Sequence, residues 1–463
     1  MSITPTELSR LLKDEAYSAG FELVGICRAA PSPHWDFLVE WVAAGYVGDM
    51  DYIARRLPAY RDPRSVLPSA QSLVVVGSVY RVANAEEGPP AYGRISCYAW
   101  GQDYHRTVRR TLEGVAEKLR QYRPSVETRI VVDTAPILER SYAQMAGLGW
   151  IGKNTLLINP RLGSYTFLGI LLTSEALEPD PPFVRNHCGK CRACLEVCPT
   201  QAFVAPGVLD ARKCLSFWTI ETKQLPPAGM RAAQGDWLFG CDLCQVVCPW
   251  NHRAPLSSRP EYQPVFGPHL SAIDLLLMTD EEFRARFRHS PLKRAGRAGL
   301  ARSAAIVLGN TLRRLLEQNS GNSGAKAEAS ANTQFVPTAS AAAGPGKKGD
   351  WISCSVGLPS ESEVDRGLEE RIRNALQGGL LDPEPVVRAA CAWALAADGS
   401  PLTRAKLAER LRVETDSMVQ AELIAAFEPH QPGDCQEAQI TLFQEEVPRV
   451  LKEKELGPPA KTV

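Results

Sequence analysis

Over roughly the first 180 residues, short apolar runs rich in β-branched side chains alternate with longer amphipathic stretches. "FELVGIC" (21–27), "QSLVVVGSVY" (71–80), "TRIVVD" (128–133) and "SYTFLGILLTSEAL" (164–177) read as buried strands. "YHRTVRRTLEGVAEKLRQYR" (104–123) has apolar positions at helical spacing. The opening "MSITPTELSRLLKDEAYSAG" reads as an amphipathic helix, without the layout of an export signal and without a twin arginine. The alternation predicts an α/β layer domain over residues 1–180.

From 263 to 430 the period is helical. "DPEPVVRAACAWALA" (382–396) and "ETDSMVQAELIAAF" (414–427) superpose at a shift of 32, so that Val387 matches Val419, Cys391 matches Leu423 and Leu395 matches Phe427. "LARSAAIVLGN" (300–310) fits the same template less closely. Helix pairs that bury one face on the next pair, as in HEAT repeats, give this pattern, and so do generic amphipathic helices. Between them, residues 318–350 hold Ala, Ser, Gly and Asn with almost no large apolar residue, and are expected to form a disordered insertion. Residues 431–463 are set apart as a tail.

The 463 residues carry 52 basic and 52 acidic side chains, so no whole-chain basic field advertises a nucleic acid; any such contact must be local. No apolar run approaches the roughly 18 residues of a membrane helix. A cytoplasmic protein, monomeric and free of membrane, is the expectation, and in a reducing compartment most of the 13 cysteines stay thiols.

Eight of those cysteines fall between 188 and 248, within a Cys- and Pro-rich segment spanning 181–262. Cys188-x2-Cys191-x2-Cys194-x3-Cys198-Pro199 is the iron–sulfur run of bacterial ferredoxins, in which three thiolates on a tight loop cap one cubane and the fourth reaches the other. A shorter run supplies Cys241, Cys244 and Cys248-Pro249, and Cys214 completes the set. One [4Fe-4S] cluster is assigned to Cys188, Cys191, Cys194 and Cys248, the other to Cys198, Cys214, Cys241 and Cys244. Zinc prefers paired CxxC ligands and explains the triple poorly. Two linked cubanes imply single-electron transfer.

The chain resembles the epoxyqueuosine reductase family in "YRDPRSVLPSAQSLVVV" (60–76), "ISCYAWGQDYH" (95–105), "VVDTAPILER" (131–140), "GWIGKNTLLI" (149–158), "GSYTFLG" (163–169) and the cysteine region. The likeness spans about residues 5–310 and the C-terminal repeats, but not the insertion. It implies an N-terminal α/β cobalamin-binding domain, a ferredoxin-like domain with two [4Fe-4S] clusters and a C-terminal HEAT-like domain. It also implies a tRNA anticodon stem-loop substrate carrying epoxyqueuosine, reduced to queuosine with electrons from a low-potential donor that remains unidentified.

By that resemblance Asp133 is the proton donor and also borders the cofactor; the residues alone allow a helix N-cap instead. A carboxyl donating near neutral pH needs a raised pKa. Arg61, Cys97, Lys153, Leu157 and Leu168 fall where the family surrounds the corrin, and "SFWTIETK" (216–223) is expected to present Thr219 and Glu221 towards cofactor or substrate. Asp103-Tyr104-His105 lacks the glycine of a cobalt-ligating DxHxxG and reads as a chance DxH. The stretch 284–302 holds seven Arg or Lys and no acid, and Lys293, Arg294, Arg297 and Arg302 are candidate tRNA contacts. Two rival readings are a reductive dehalogenase-like corrinoid enzyme and a non-catalytic ferredoxin-type carrier on a HEAT scaffold. The missing twin arginine weighs against the first, and the long α/β segment against the second.

Overall fold

Strand Ser72–Val79 is buried along its whole length because both faces of its sheet are covered. Its alternate side chains enter two cores: Val74 and Val76 pack with Ile26 and Leu171 on one face, Leu73 and Val75 with Cys27, Ile170 and Leu172 on the other. The first face is closed by helices Pro5–Ser18 and Tyr104–Tyr122 through Leu8, Leu12, Leu112, Val115 and Leu119. The second is closed by Glu139–Met145 through Tyr142 and Ala143. Each such Leu or Val, fully buried, contributes about 1.5–3 kcal/mol. This computed structural model describes residues 3–84, 88–325 and 361–428, and the side chains among them except 320–325 and 361–365.

The sheet order is Leu23–Arg28, Ser72–Val79, Thr166–Thr173, Thr128–Val131. Every pairing is antiparallel. The four strands expected from the sequence all form. The site lies on the loop that leaves the edge strand Thr128–Val131.

The three segments of the chain are stitched together by backbone pairing. Trp237–Phe239, from the cysteine-rich segment, runs parallel to Tyr92–Ile95, which also pairs antiparallel with His269–Ser271. Glycine is required at 93, because a Cβ there would lie 2.4 Å from Leu238. Linear boundaries at 180 and 262 therefore cut across one shared sheet.

In the helical part, Pro385–Leu395 packs against Gly296–Ala325 and Ser417–Ala425. The matched residues Val387, Cys391, Leu395, Val419 and Leu423 are all fully buried, and Phe427 is partly so. Arg388 holds Glu414 in a bidentate pair, both contacts 2.9 Å. Arg231 of the cysteine segment holds Glu422 of the last helix at 2.6 and 2.7 Å. Helix Gly296–Ala325 corrects one boundary. It continues eight residues into the stretch read as disordered, since a helix already nucleated adds one hydrogen bond for each residue it fixes. The Asn319 amide also donates to buried Glu369. The rest of that stretch, and the tail, lie outside the described residues. Among the described residues no helix is long and apolar enough to cross a membrane.

Candidate active site and cysteine centre

The eight cysteines gather into two neighbouring groups. Cys194 is raised to about 11 by burial and then by the charges of Cys188, Cys248 and Cys191. Cys241 is raised by burial and by Cys214 and Cys198, and Cys244 by burial, Cys241 and Cys214. Cys188, Cys191, Cys194 and Cys248 thus influence one another, as do Cys198, Cys214, Cys241 and Cys244. The two groups adjoin, since Cys194 also acts on Cys244. Buried thiols with raised pKa values give up their protons to a metal centre that balances the charge. Among the described residues no three His, Cys, Asp or Glu side chains converge on a single-ion site.

The scaffold around them comes from the neighbouring strands. Trp150 donates its indole N–H to Cys188 Sγ at 3.4 Å, and the Ala202 N–H points at Cys198 Sγ at 3.3 Å. Asn154 donates to the Cys244 carbonyl at 3.3 Å. Asp242, buried between Cys241 and Cys244, accepts the Cys97 N–H at 2.7 Å and the Ser96 hydroxyl. Cys97 is thus fixed against the inner cysteine group.

Asp133 follows strand Thr128–Val131 with φ of +59°, a left-handed conformation that Asp tolerates better than most side chains. It caps no helix: the next begins at Glu139 with Leu138 at its N-cap. Its side chain is 62% exposed and its Oδ2 lies 3.3 Å from His105 Nε2. The Asp133 N–H donates to Glu139 Oε1 at 2.6 Å. The hydrogen bond from His105, opposed by burial, lowers the Asp133 pKa below the ordinary value. The raised pKa expected of a lone donor is therefore not what the site provides, because a cationic partner favours the carboxylate.

Beside Asp133, a cleft of about 170 Å³ is lined by Tyr80, Tyr98, Tyr104, Phe167, Leu157 and Leu168, with Arg140 and Gln245 at its margins. Tyr104 stacks on Phe167 at 4.1 Å and 4° and on His105 at 4.1 Å. The Thr166 hydroxyl, also in the lining, is buried without a hydrogen-bond partner. Gln245 follows Cys244 directly, and Tyr104 of the lining hydrogen-bonds Asp133, so the cleft adjoins both Asp133 and the inner cysteine segment.

The remaining expected contacts scatter. Leu157 and Leu168 meet in the cleft. Arg61 is exposed, on the 3-10 turn whose Tyr60 neighbours Asp133. The Lys153 ammonium is committed to the Gly189 and Cys191 carbonyls at 2.7 and 2.8 Å, so it braces the cysteine loop. Thr219 is fully buried, donating to the Leu215 carbonyl and accepting the Gly240 N–H, which turns it away from any ligand. Glu221 pairs with Arg294 at 2.7 Å, near Tyr52.

The four candidate RNA contacts are also spoken for. Arg302 is 1% exposed and donates to the Thr222, Gln224 and Trp218 carbonyls. Arg297 is buried against Asp382 at 2.8 Å. Lys293, on the surface, reaches Asp103 at 2.8 Å, and Arg294 is held by Glu221. Helical periodicity turned two of the seven cations of that run, Arg297 and Arg302, inward, where a carboxylate and carbonyls satisfy them. Exposed Arg286 and Arg288 of the same run, with Arg106, Arg109 and Arg110 of helix Tyr104–Tyr122, line a groove of about 950 Å³. Asp103 reaches this groove too. The sequence signal for the other half of the groove is the three arginines of "RTVRR" (106–110) on one helix.

Comparison with known proteins gives these features a common context. Residues 187–251 match the 4Fe-4S double cluster binding domain, and residues 61–134 the family described as epoxyqueuosine reductase QueG, DUF1730. Epoxyqueuosine reductase of Pseudomonas aeruginosa is 40% identical over 311 residues, 66% of this chain and 86% of its own. That of Escherichia coli is 37% identical over 311 residues, covering 66% and 81%. A crystal structure of epoxyqueuosine reductase with a tRNA-Tyr epoxyqueuosine-modified stem loop superposes with a TM-score of 0.74 at 26% identity, covering 91% of this chain and 98% of that one. A Bacillus subtilis structure, described as having its catalytic aspartate loop swung out of the active site, gives 0.73 at 25%, covering 91% and 99%. By cysteine spacing, fold and sequence alike, the chain belongs to the epoxyqueuosine reductase family.

Proposed function

We propose that this protein reduces epoxyqueuosine to queuosine at the wobble position of tRNA. The observation that carries the reading is one open carboxylate, Asp133, beside an aromatic cleft that adjoins the inner cysteine segment. The reaction removes the epoxide oxygen as water with two electrons and two protons, leaving a carbon–carbon double bond. An electron route on one side and a proton source on the other match that balance.

In this reading Cys188, Cys191, Cys194 and Cys248 hold the outer [4Fe-4S] cluster, and Cys198, Cys214, Cys241 and Cys244 the inner one. Cys191 is exposed, so electrons from the unidentified donor enter there. The N–H groups aimed at Cys188 and Cys198 stabilise the more negative, reduced clusters. The cleft, too small for a whole cobalamin, suits one face of its macrocycle: Tyr98, Tyr104, Leu157 and Leu168 offer an apolar floor, and the unpartnered Thr166 hydroxyl a polar contact. When bound, cobalamin supplies a metal centre that takes electrons from the clusters at the substrate. Asp133 protonates the departing oxygen, Cys97 anchors the cleft to the inner cysteines, and Arg61 and Glu221 stand at the rim. The helices from 263 to 428 act as a HEAT-like scaffold behind the α/β and cluster segments.

The arginine groove gives the RNA reading its surface. Guanidinium groups neutralise phosphates, and removing one lowers both the affinity and its dependence on salt. Arg286→Ala combined with Arg288→Ala is expected to weaken stem-loop binding and to reduce the slope of log affinity against log salt by about 1–2. An unchanged slope would move the RNA to another face. The reading as a whole is tested by anaerobic assay of protein loaded with both clusters and cobalamin on epoxyqueuosine-containing tRNA. Formation of queuosine is the expected result, and its absence in loaded, reduced protein refutes the assignment.

A further inference from the structure

Asp133 is one end of a hydrogen-bonded chain of four side chains drawn from three parts of the sequence. His105 Nε2 faces Asp133 Oδ2 at 3.3 Å, and His105 Nδ1 meets Asp103 Oδ1 at 2.7 Å. Lys293 Nζ donates to Asp103 Oδ2 at 2.8 Å. Asp103 also caps helix Tyr104–Tyr122, accepting the His105 N–H at 3.2 Å. The imidazole is held flat by Tyr104, itself stacked on Phe167. Nothing in this arrangement resembles a side chain left to chance.

We propose that His105 holds the proton that Asp133 delivers, with Asp103 and Lys293 fixing the imidazole for the transfer. The inference rests on Asp133 as donor and adds where its proton is kept. In each turnover the Asp133 carboxylate takes a proton from His105 Nε2 and passes it to the departing oxygen, while His105 Nδ1 keeps its proton in the hydrogen bond to Asp103. His105 regains its proton from water, water also supplies the second proton of the reaction, and the clusters supply both electrons. His105 is a positioning and proton-holding residue, since it acts through Asp133.

The charges around the pair agree with this division of labour. Burial works against the imidazolium, but hydrogen bonds to Asp103 and Asp133 outweigh it and push His105 up to about 9. Asp103 cannot take the proton in its place. Despite burial, its contacts with His105 and Lys293 hold it well below the carboxylate range. Glu139 and Arg140 face Asp133 from the following helix, and burial followed by the Asp133 charge pushes Glu139 up to about 8. Behind His105, Arg106 is occupied with His289 at 3.0 Å. A histidine raised in this way is charged below its pKa and loses its proton as pH rises through it, so the proton store empties above about pH 9.

The experiment is the pH profile of turnover for wild type, His105→Gln, Asp103→Asn and Asp133→Asn, each with saturating epoxyqueuosine tRNA. His105→Gln should lower kcat by about 10²-fold or more, leave KM for tRNA unchanged and abolish the alkaline limb near pH 9. Asp103→Asn keeps the helix cap but removes the negative partner, so the limb should move to lower pH. Added imidazole should partly restore His105→Ala. Normal kcat and an unshifted limb in His105→Gln, with Asp133→Asn inactive, would overturn the proton store and leave the donor standing. An active Asp133→Asn would overturn both. Loss of the alkaline limb in Glu139→Gln, with the limb intact in His105→Gln, would assign the store to Glu139 and refute His105.

Discussion

Asp133→Asn is expected to retain both clusters, cobalamin and tRNA affinity while turnover falls by about 10²–10⁴-fold, the usual contribution of a placed proton donor. The amide has nearly the carboxyl's shape, and asparagine tolerates φ of +59° as aspartate does, so the loop conformation survives. It can still hydrogen-bond to His105, but it has no acid proton to pass on. The structure removes the competing explanation that this residue caps a helix, because the next helix starts six residues later and its N-cap, Leu138, makes no side-chain cap. Turnover within threefold of wild type, measured with saturating tRNA and excess reductant, would end the assignment.

Cys198→Ala is expected to cost one cluster and, with it, nearly all turnover. Two cubanes hold about eight irons per chain, and about half should remain, those of the cluster on Cys188, Cys191, Cys194 and Cys248. The effect is specific because Cys198 lies in the first cysteine run yet neighbours Cys214 and Cys241 of the second group. Damage to the cluster within its own run, detected in the variant by spectroscopy and iron count, would contradict the partition. Fewer than five irons in reconstituted wild type would contradict the two clusters themselves.

Local chemistry explains how much was legible without coordinates. A strand buried on both faces must be apolar throughout, so "SLVVVGSV" declared itself. The iron–sulfur run is a loop only a few residues long, and its ligand spacing is the geometry, which made the double-cluster domain readable. Within the basic run at 284–302, Arg297 and Arg302 misled because charge along a sequence does not say which way a helix turns it. Both are buried against a carboxylate and carbonyls contributed by other segments.

The strands and helices of the first 180 residues, the cysteine groups, the family and the candidacy of Asp133 are all written in the sequence, because each is encoded by neighbours along the chain. What stands beside Asp133 is settled by folding alone. Asp103, His105, Asp133 and Lys293 span 190 positions from first to last and meet because strand Thr128–Val131, helix Tyr104–Tyr122 and the turn at Pro291–Arg294 converge. A pKa depends on distances of a few ångströms between such groups, its shift fading with separation and growing with burial. No reading of single residues could have shown that the carboxylate is held ionised, or that the proton waits on the histidine of a motif that looked accidental.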